Sequence, residues 1–147
     1  MVALRKLITI IWFMWVTLGS EQNKIEKLLK NNFNEKLVQA TDGAVVKFMI
    51  PWCGYCKSTM IPWCGYCKSM KAPFEHAASA VSSMGRNVMF GEVDCAAERE
   101  LCDTNGITAF PTMVIYRVGG GNDKTKLVGY RNGDTFLTEV KRELGFE

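Results

Sequence analysis

No stretch of this 147-residue chain has the roughly 20 consecutive apolar residues that a membrane-spanning helix needs. The longest candidate, Leu7 to Leu18, follows Arg5 and Lys6 and gives way to Gly19 and Ser20. That order of charge, apolar run and small residues reads as a secretory signal peptide over residues 1–20, with an uncleaved anchor as the alternative. No membrane attachment is expected after cleavage. Basic blocks are also missing. The 18 basic and 15 acidic residues become 16 and 15 once Arg5 and Lys6 leave with the leader, so nucleic acid is not an expected partner. Histidine is nearly absent: His76 is the only one, and it falls on the side of its helix away from the apolar stripe, as a solvated residue rather than a catalytic one. The C-terminal Glu-Leu-Gly-Phe-Glu is not a KDEL-type retention signal. The expected location is the secretory pathway, either the endoplasmic reticulum lumen or outside the cell.

Apolar residues are plentiful, at 48%, enough to build the core of one domain of ordinary size. The six cysteines, at 53, 56, 64, 67, 95 and 102, all follow the leader. An even count in a secreted chain suggests disulfides. Four of them belong to a tandem repeat: Pro-Trp-Cys-Gly-Tyr-Cys-Lys-Ser occurs at 51–58 and again eleven residues later at 62–69. Such a dithiol suits thiol-disulfide exchange. A first cysteine at a helix N-terminus has its thiolate stabilised by unpaired N–H groups and the helix dipole. The second, one turn on, can attack a mixed disulfide and release the product. Glycine between them leaves room for a substrate backbone.

Along the chain, Ile25 to Leu29 is a short strand candidate, followed by Asn31 and Asn32 as helix caps. Phe33, Leu37, Val38 and Ala40 recur at helical spacing until Thr41-Asp42-Gly43 stops the helix. Ala44 to Ile50 has the length and apolar richness of a buried parallel strand, broken only by Lys47. After the second repeat, Cys67, Met70, Phe74, Ala77, Val81 and Met84 trace one helical face, with a kink expected at Pro73 and an end at Gly85. Val88 to Val93 is a strand, Ala96 to Asn105 a short helix, and Thr112 to Tyr116 a strand that turns through residues 119–123 into Lys126 to Gly129. Asp134 is the expected cap of a last helix carrying Phe136, Leu137, Val140 and Leu144, with Gly145 past its end. The pattern is α/β, a central mixed β-sheet flanked by helices on both faces.

With these residues in order, the chain resembles the thioredoxin superfamily, and most closely a single catalytic domain of the protein disulfide isomerase family. The resemblance is carried by Val46-Lys47-Phe48, the Pro-Trp-Cys-Gly-Tyr-Cys-Lys motif, Pro73-Phe74, Val93-Asp94-Cys95, Gly106-Ile107, Phe110-Pro111-Thr112 and Gly129-Tyr130-Arg131. It implies a thioredoxin fold, a single domain over 21–147 interrupted by the extra repeat within 49–70, and activity on the thiols or disulfides of protein or peptide substrates, with no metal or organic cofactor. It implies a cis bond before Pro111, which places that backbone beside the dithiol, and a structural disulfide between Cys95 and Cys102. Arg131 resembles the mobile arginine that promotes ionisation of the second cysteine. Trp63, Tyr66, Phe110 and Pro111 would form the substrate contact surface. Two departures stand out. Tyr replaces the usual His between the active cysteines, as in bacterial periplasmic disulfide isomerases. Lys47 stands where relatives often carry a buried acid; its charge would favour thiolate, while the plainer reading is an aliphatic stem with its ammonium reaching solvent.

Only one copy can occupy the junction between strand and helix. Running the helix through both would lengthen it by about 16 Å at ~1.5 Å per residue, and no residues were added to the strand. The favoured arrangement makes Cys64 the nucleophile and Cys67 the resolving thiol, with residues near 50 to 61 looped out. Cys53 and Cys56 are the alternative or additional pair, with a helix break at Pro62. Two readings of another class stay open: a four-cysteine metal site built from Cys53, Cys56, Cys64 and Cys67, and a non-catalytic substrate-binding module. Limited alkylation of the reduced, folded protein at mildly acidic pH separates the copies, because only a thiol of depressed pKa reacts quickly there. Tryptic cleavage puts them on different peptides, Phe48 to Lys57 and Ser58 to Lys68. Preferential labelling of Cys64 is expected; preferential labelling of Cys53 would reverse the assignment, and loss of one peptide would mean that the protein carries no repeat.

Overall fold

The computed structural model describes residues 24–50, 67–118 and 121–146. The proposed signal peptide, residues 1–20, lies outside them. The described chain runs β1 (Glu26–Lys27), α1 (Phe33–Gln39), β2 (Ala44–Met49), α2 (Lys71–Ser83), β3 (Met89–Asp94), α3 (Arg99–Thr104), β4 (Thr112–Tyr116), β5 (Lys124–Val128) and α4 (Gly133–Leu144). The five strands form one sheet in the order β1-β3-β2-β4-β5. β3 pairs in parallel with β1 and β2, whereas β4 is antiparallel to β2 and β5. This is the expected mixed sheet.

β2 sits at the centre, and strand alternation divides its side chains between two cores. Val46 and Phe48 join Phe33 and Leu37 of α1 and Leu101 of α3 on one face. Val45 joins Phe74, Ala77 and Val81 of α2 and Phe136 and Val140 of α4 on the other. The aromatic contacts follow the same division. Phe33 meets Phe48 and Tyr116 with ring centroids 6.2 and 6.1 Å apart, while Phe74 meets Phe90 at 5.4 Å and Phe136 at 6.0 Å. Tyr116 donates its hydroxyl to Asn105 Oδ1 at 3.1 Å, and burial raises its phenol pKa above the ordinary value.

Several local expectations are adjusted. Val38, placed on the apolar face of the first helix, is 75% exposed, because α1 buries only the line through Phe33 and Leu37. Asn32 occupies the cap position of α1, yet its Oδ1 accepts from Leu29 N–H behind it rather than from the helix ahead. The last helix is capped by Asn132, whose side chain accepts from Thr135 N–H, and not by Asp134, which lies one residue inside the helix. Gly145 does adopt the left-handed conformation that ends this helix, with φ 72°. Met84, at the end of the α2 stripe, is 44% exposed. The path leading into α2 is helical at residues 67–69 and interrupted at Met70. Pro73 falls in the first turn of the helix proper, where a missing N–H costs least.

The sheet also contains a close approach that the pattern of apolar residues does not reveal. Gly91 on β3 pairs beside Glu26 of β1, and a Cβ there would collide with the Leu28 side chain. Phe74 is fully buried and joins the helix layer to the sheet. Replacing Phe74 with Ala is expected to cost about 3–5 kcal/mol of stability, read from the shift in the urea unfolding midpoint at unchanged slope.

Candidate active site

The carboxyl end of β2 is where the chemistry-bearing segments converge, and the topology requires it. Only residues 84–88 separate the end of α2 from Met89, which pairs with Ala44 at the amino end of β2. α2 therefore runs back along the sheet, and its start lies at the opposite end, past Phe48 and Met49. Cys67, in the helical stretch 67–69 that leads into α2, is 8% exposed. β4 approaches the same end from the other side. Thr112 pairs with Phe48, so Pro111 lies just beyond the last β2–β4 pair, and the Phe110–Pro111 bond is cis. Thr112 Oγ1 donates to Ala109 O at 2.7 Å, closing this loop on itself. Gly129 N–H donates to Pro111 O at 2.9 Å, which brings Tyr130 and Arg131 to that end as well.

Cys95 follows β3 and donates its N–H to Met49 O at 2.8 Å. Its side chain is disulfide-bonded to Cys102 of α3, with Cα atoms 5.8 Å apart. Both cysteines are buried, at 7% and 3% exposure. The disulfide therefore ties α3 to the end of β3, and the Cys95 N–H bond carries that tie to Met49, two residues before the first motif.

Arg131 is held rather than extended. Its Nη1 donates to Val128 O at 2.9 Å and Tyr130 O at 3.1 Å, and its Nε lies 3.3 Å from Glu139 Oε2 of α4. Phe110 is half-buried against the α1/α3 core. Cys53, Cys56, Trp63, Cys64 and Tyr66 lie outside the described residues. Of the four-cysteine set considered for a metal, only Cys67 is described, and among the described residues no group of three or more His, Cys, Asp or Glu is placed to hold a metal ion. His76 is exposed on α2.

Lys47 corrects the plainer of its two readings. Its side chain is 2% exposed, and its Nζ lies 2.6 Å from Glu92 Oε1 on β3 and 4.9 Å above the centre of the Phe74 ring. The ammonium does not reach solvent because the residue alternates onto the face covered by α2, beside Val45. Glu92 is a partner that sequence reasoning missed. Its signal is the alternation Phe90-Gly91-Glu92, which faces Lys47 only once the β2–β3 register is known.

A central mixed sheet whose carboxyl end gathers a buried cysteine ahead of a helix and a cis-proline loop defines a thioredoxin-type domain. The family model described as Thioredoxin matches residues 24–61 and 58–142, and this chain belongs to that family of thiol-disulfide oxidoreductases. The two matched stretches overlap, and each contains one copy of the repeated motif. The chain is 34% identical over 98 residues to a probable protein disulfide-isomerase, ER-60, of Schistosoma mansoni, covering 66% of this chain and 18% of that one. It is 26% identical over 117 residues to the protein disulfide-isomerase of Saccharomyces cerevisiae, covering 80% and 20%. The chain thus spans about a fifth of the length of these relatives. A crystal structure of human ERp44, form I, superposes with a TM-score of 0.65 at 21% identity, covering 84% of this chain and 30% of that one; this likeness establishes the fold.

The short loop closed by Cys95 and Cys102 gives the disulfide a modest stabilising effect. Replacing both cysteines with Ala is expected to lower unfolding stability by roughly 2 kcal/mol, measured by denaturant titration against the unreduced parent.

Proposed function

We propose that this chain is a thiol-disulfide oxidoreductase of the secretory pathway that forms, reduces or isomerises protein disulfides through the second CGYC copy, as a single thioredoxin-like domain behind a cleaved leader. The observation that carries the reading is the burial of Cys67 ahead of α2, at the same sheet end as the cis Phe110–Pro111 loop. The family membership and the disulfide-isomerase relatives support the same chemistry.

In the reducing direction the Cys64 thiolate attacks a substrate disulfide. A Cys64–substrate bond forms, the substrate S–S bond breaks, and the leaving sulfur takes up a proton. Cys67 then loses its proton and attacks Cys64 Sγ. The Cys64–Cys67 disulfide forms, the second substrate thiol leaves, and two electrons have passed to the substrate. A dithiol reductant restores the reduced pair; run in reverse, the same steps oxidise a substrate. Trp63 and Tyr66 line the contact surface, Phe110 and Pro111 position the substrate backbone, and Arg131 acts on the ionisation of the second cysteine. Cys53 and Cys56 form the alternative or additional pair.

The test is dithiothreitol-driven reduction of insulin by the purified chain. Cys64→Ser is expected to lose about a hundredfold or more of the rate, and Cys67→Ser to accumulate a mixed disulfide visible by mass spectrometry. The double variant Cys53→Ser with Cys56→Ser should keep most of the activity. A folded parent chain without turnover would overturn the reading, and loss confined to the Cys53/Cys56 variant would move it to the first copy.

A further inference from the structure

Asparagine is followed by glycine twice in this chain, at Asn105-Gly106 and at Asn132-Gly133. Such a dipeptide can react with itself. The glycine nitrogen attacks the asparagine Cγ: the N–Cγ bond forms, the Cγ–Nδ2 bond breaks, and Nδ2 leaves as ammonia with the proton given up by the glycine N–H. Water then opens the cyclic imide. Entry at Cγ gives aspartate, and entry at the main-chain carbonyl gives isoaspartate, with the chain rerouted through Cγ. Glycine permits the approach because it brings no side chain against the closing ring.

The fold treats the two sites differently. Asn105 ends α3 with its reacting groups engaged. Its Nδ2 donates to Leu101 O at 2.8 Å, its Oδ1 accepts from the Tyr116 hydroxyl at 3.1 Å, and the Gly106 N–H donates to Asp103 O at 2.9 Å. The carbonyl of Gly106 in turn accepts from Lys126 Nζ at 2.9 Å. Both the nucleophile and the leaving group are tied down.

Asn132 is exposed at the cap of α4. Its Oδ1 accepts from Thr135 N–H at 2.9 Å, the bond that a developing negative charge on that oxygen needs. Gly133 is the first residue of the helix, where an N–H has no partner within the helix. The helix dipole favours negative charge at this end, both on the nitrogen as it loses its proton and on Oδ1 as the ring closes. A base stands beside that nitrogen. His76 of α2 packs so closely on Gly133 that a Cβ there would lie 3.3 Å from its Nδ1. The imidazole thus rests against the α-carbon to which the nitrogen is bonded. This contact gives a task to the one histidine of the chain, which the dithiol chemistry does not use.

We propose that Asn132–Gly133 is a site of self-modification in the folded protein, converting to aspartate and isoaspartate with His76 as general base, and that the fold protects Asn105–Gly106 from the same reaction. The site lies at a junction. The segment before it is tied to the proline loop by the bond from Gly129 N–H to Pro111 O, and Arg131 binds Val128 O and Tyr130 O; the helix after it carries Glu139. Isoaspartate lengthens the main chain at that junction and puts a fixed negative charge at the start of α4. The inference goes beyond the proposed function and does not rest on it.

The experiment is incubation of the full chain at physiological pH and temperature, folded and in urea, followed by peptide mapping of amide-to-acid conversion. Cleavage after lysine places Asn132 in Leu127 to Lys141, and tryptic cleavage places Asn105 in Glu100 to Arg117, each without another asparagine or glutamine. In urea the two sites should convert at similar rates. In the folded chain Asn132 should keep at least its rate in urea. Two more hydrogen bonds must open at Asn105 before ring closure, each worth about fivefold, so its folded rate should be roughly 25-fold lower than that of Asn132. His76→Gln, checked for folding by circular dichroism, should slow Asn132 about fivefold, less than a buried base would because water reaches the site, and leave Asn105 unchanged. Slower conversion of Asn132 in the folded chain than in urea, equal conversion of the two sites in the folded chain, or an unchanged Asn132 rate in folded His76→Gln would each overturn the proposal. No disulfide exchange enters the measurement, so an inert chain that converts at Asn132 removes the proposed function alone, and an active chain that keeps its Asn132 amide removes this inference alone.

Discussion

The pairing of β2 on both of its edges is the constraint from which the rest of the domain follows. Hydrogen-bonded to β3 on one side and β4 on the other, the strand has no edge exposed to water, and its side chains must supply both cores. Val46 and Phe48 do so on the α1/α3 face, Val45 on the α2/α4 face. The helices are then positioned by the connections they must make. α2 has to return to the amino end of β3, so its own start is driven to the carboxyl end of the sheet. The antiparallel pairing of Thr112 with Phe48 brings the cis-proline loop to that same end. Several chain crossings terminate there, at one edge of a rigid layer, which is why the proposed site falls at that end.

Each bond around that end has a separate structural task. The Cys95 N–H to Met49 O bond anchors the last residue of the central strand, and the disulfide to Cys102 fastens the same point to α3. Thr112 Oγ1 closes the proline loop, and Gly129 N–H ties it to the segment carrying Arg131. These are short-range, directional interactions, and they hold the loops at this end of the sheet to one another. Under the proposed function such rigidity would serve the reaction, because a resolving thiol acts only when it is held within reach of the mixed disulfide.

Much of this was legible beforehand, for identifiable reasons. The apolar run at 44–50 and the three- and four-residue steps from Met70 to Val81 follow from burial of a strand on both faces and of a helix on one, and burial is written in side-chain polarity. Local chemistry was less dependable. Asn132 rather than Asp134 caps α4, because both can accept a bond and only the backbone path decides which lies at the cap. Val38 matched a helical spacing yet faces solvent, because α1 meets the sheet along a narrower line than its sequence allows.

By itself the sequence determined the order of elements, the burial of the central strand and the presence of a duplicated dithiol motif, all of which depend on neighbours within a few residues or on residue type alone. Tertiary structure decided the environment of Lys47. Forty-five positions separate it from Glu92, and nothing local links them. Only the parallel register of β2 with β3 sets the two residues side by side, and the Phe74 ring seated against the Lys47 ammonium helps cover it. Whether a lysine reaches solvent or stays charged inside a protein is settled by such long-range register, because the partner that makes burial tolerable comes from another strand.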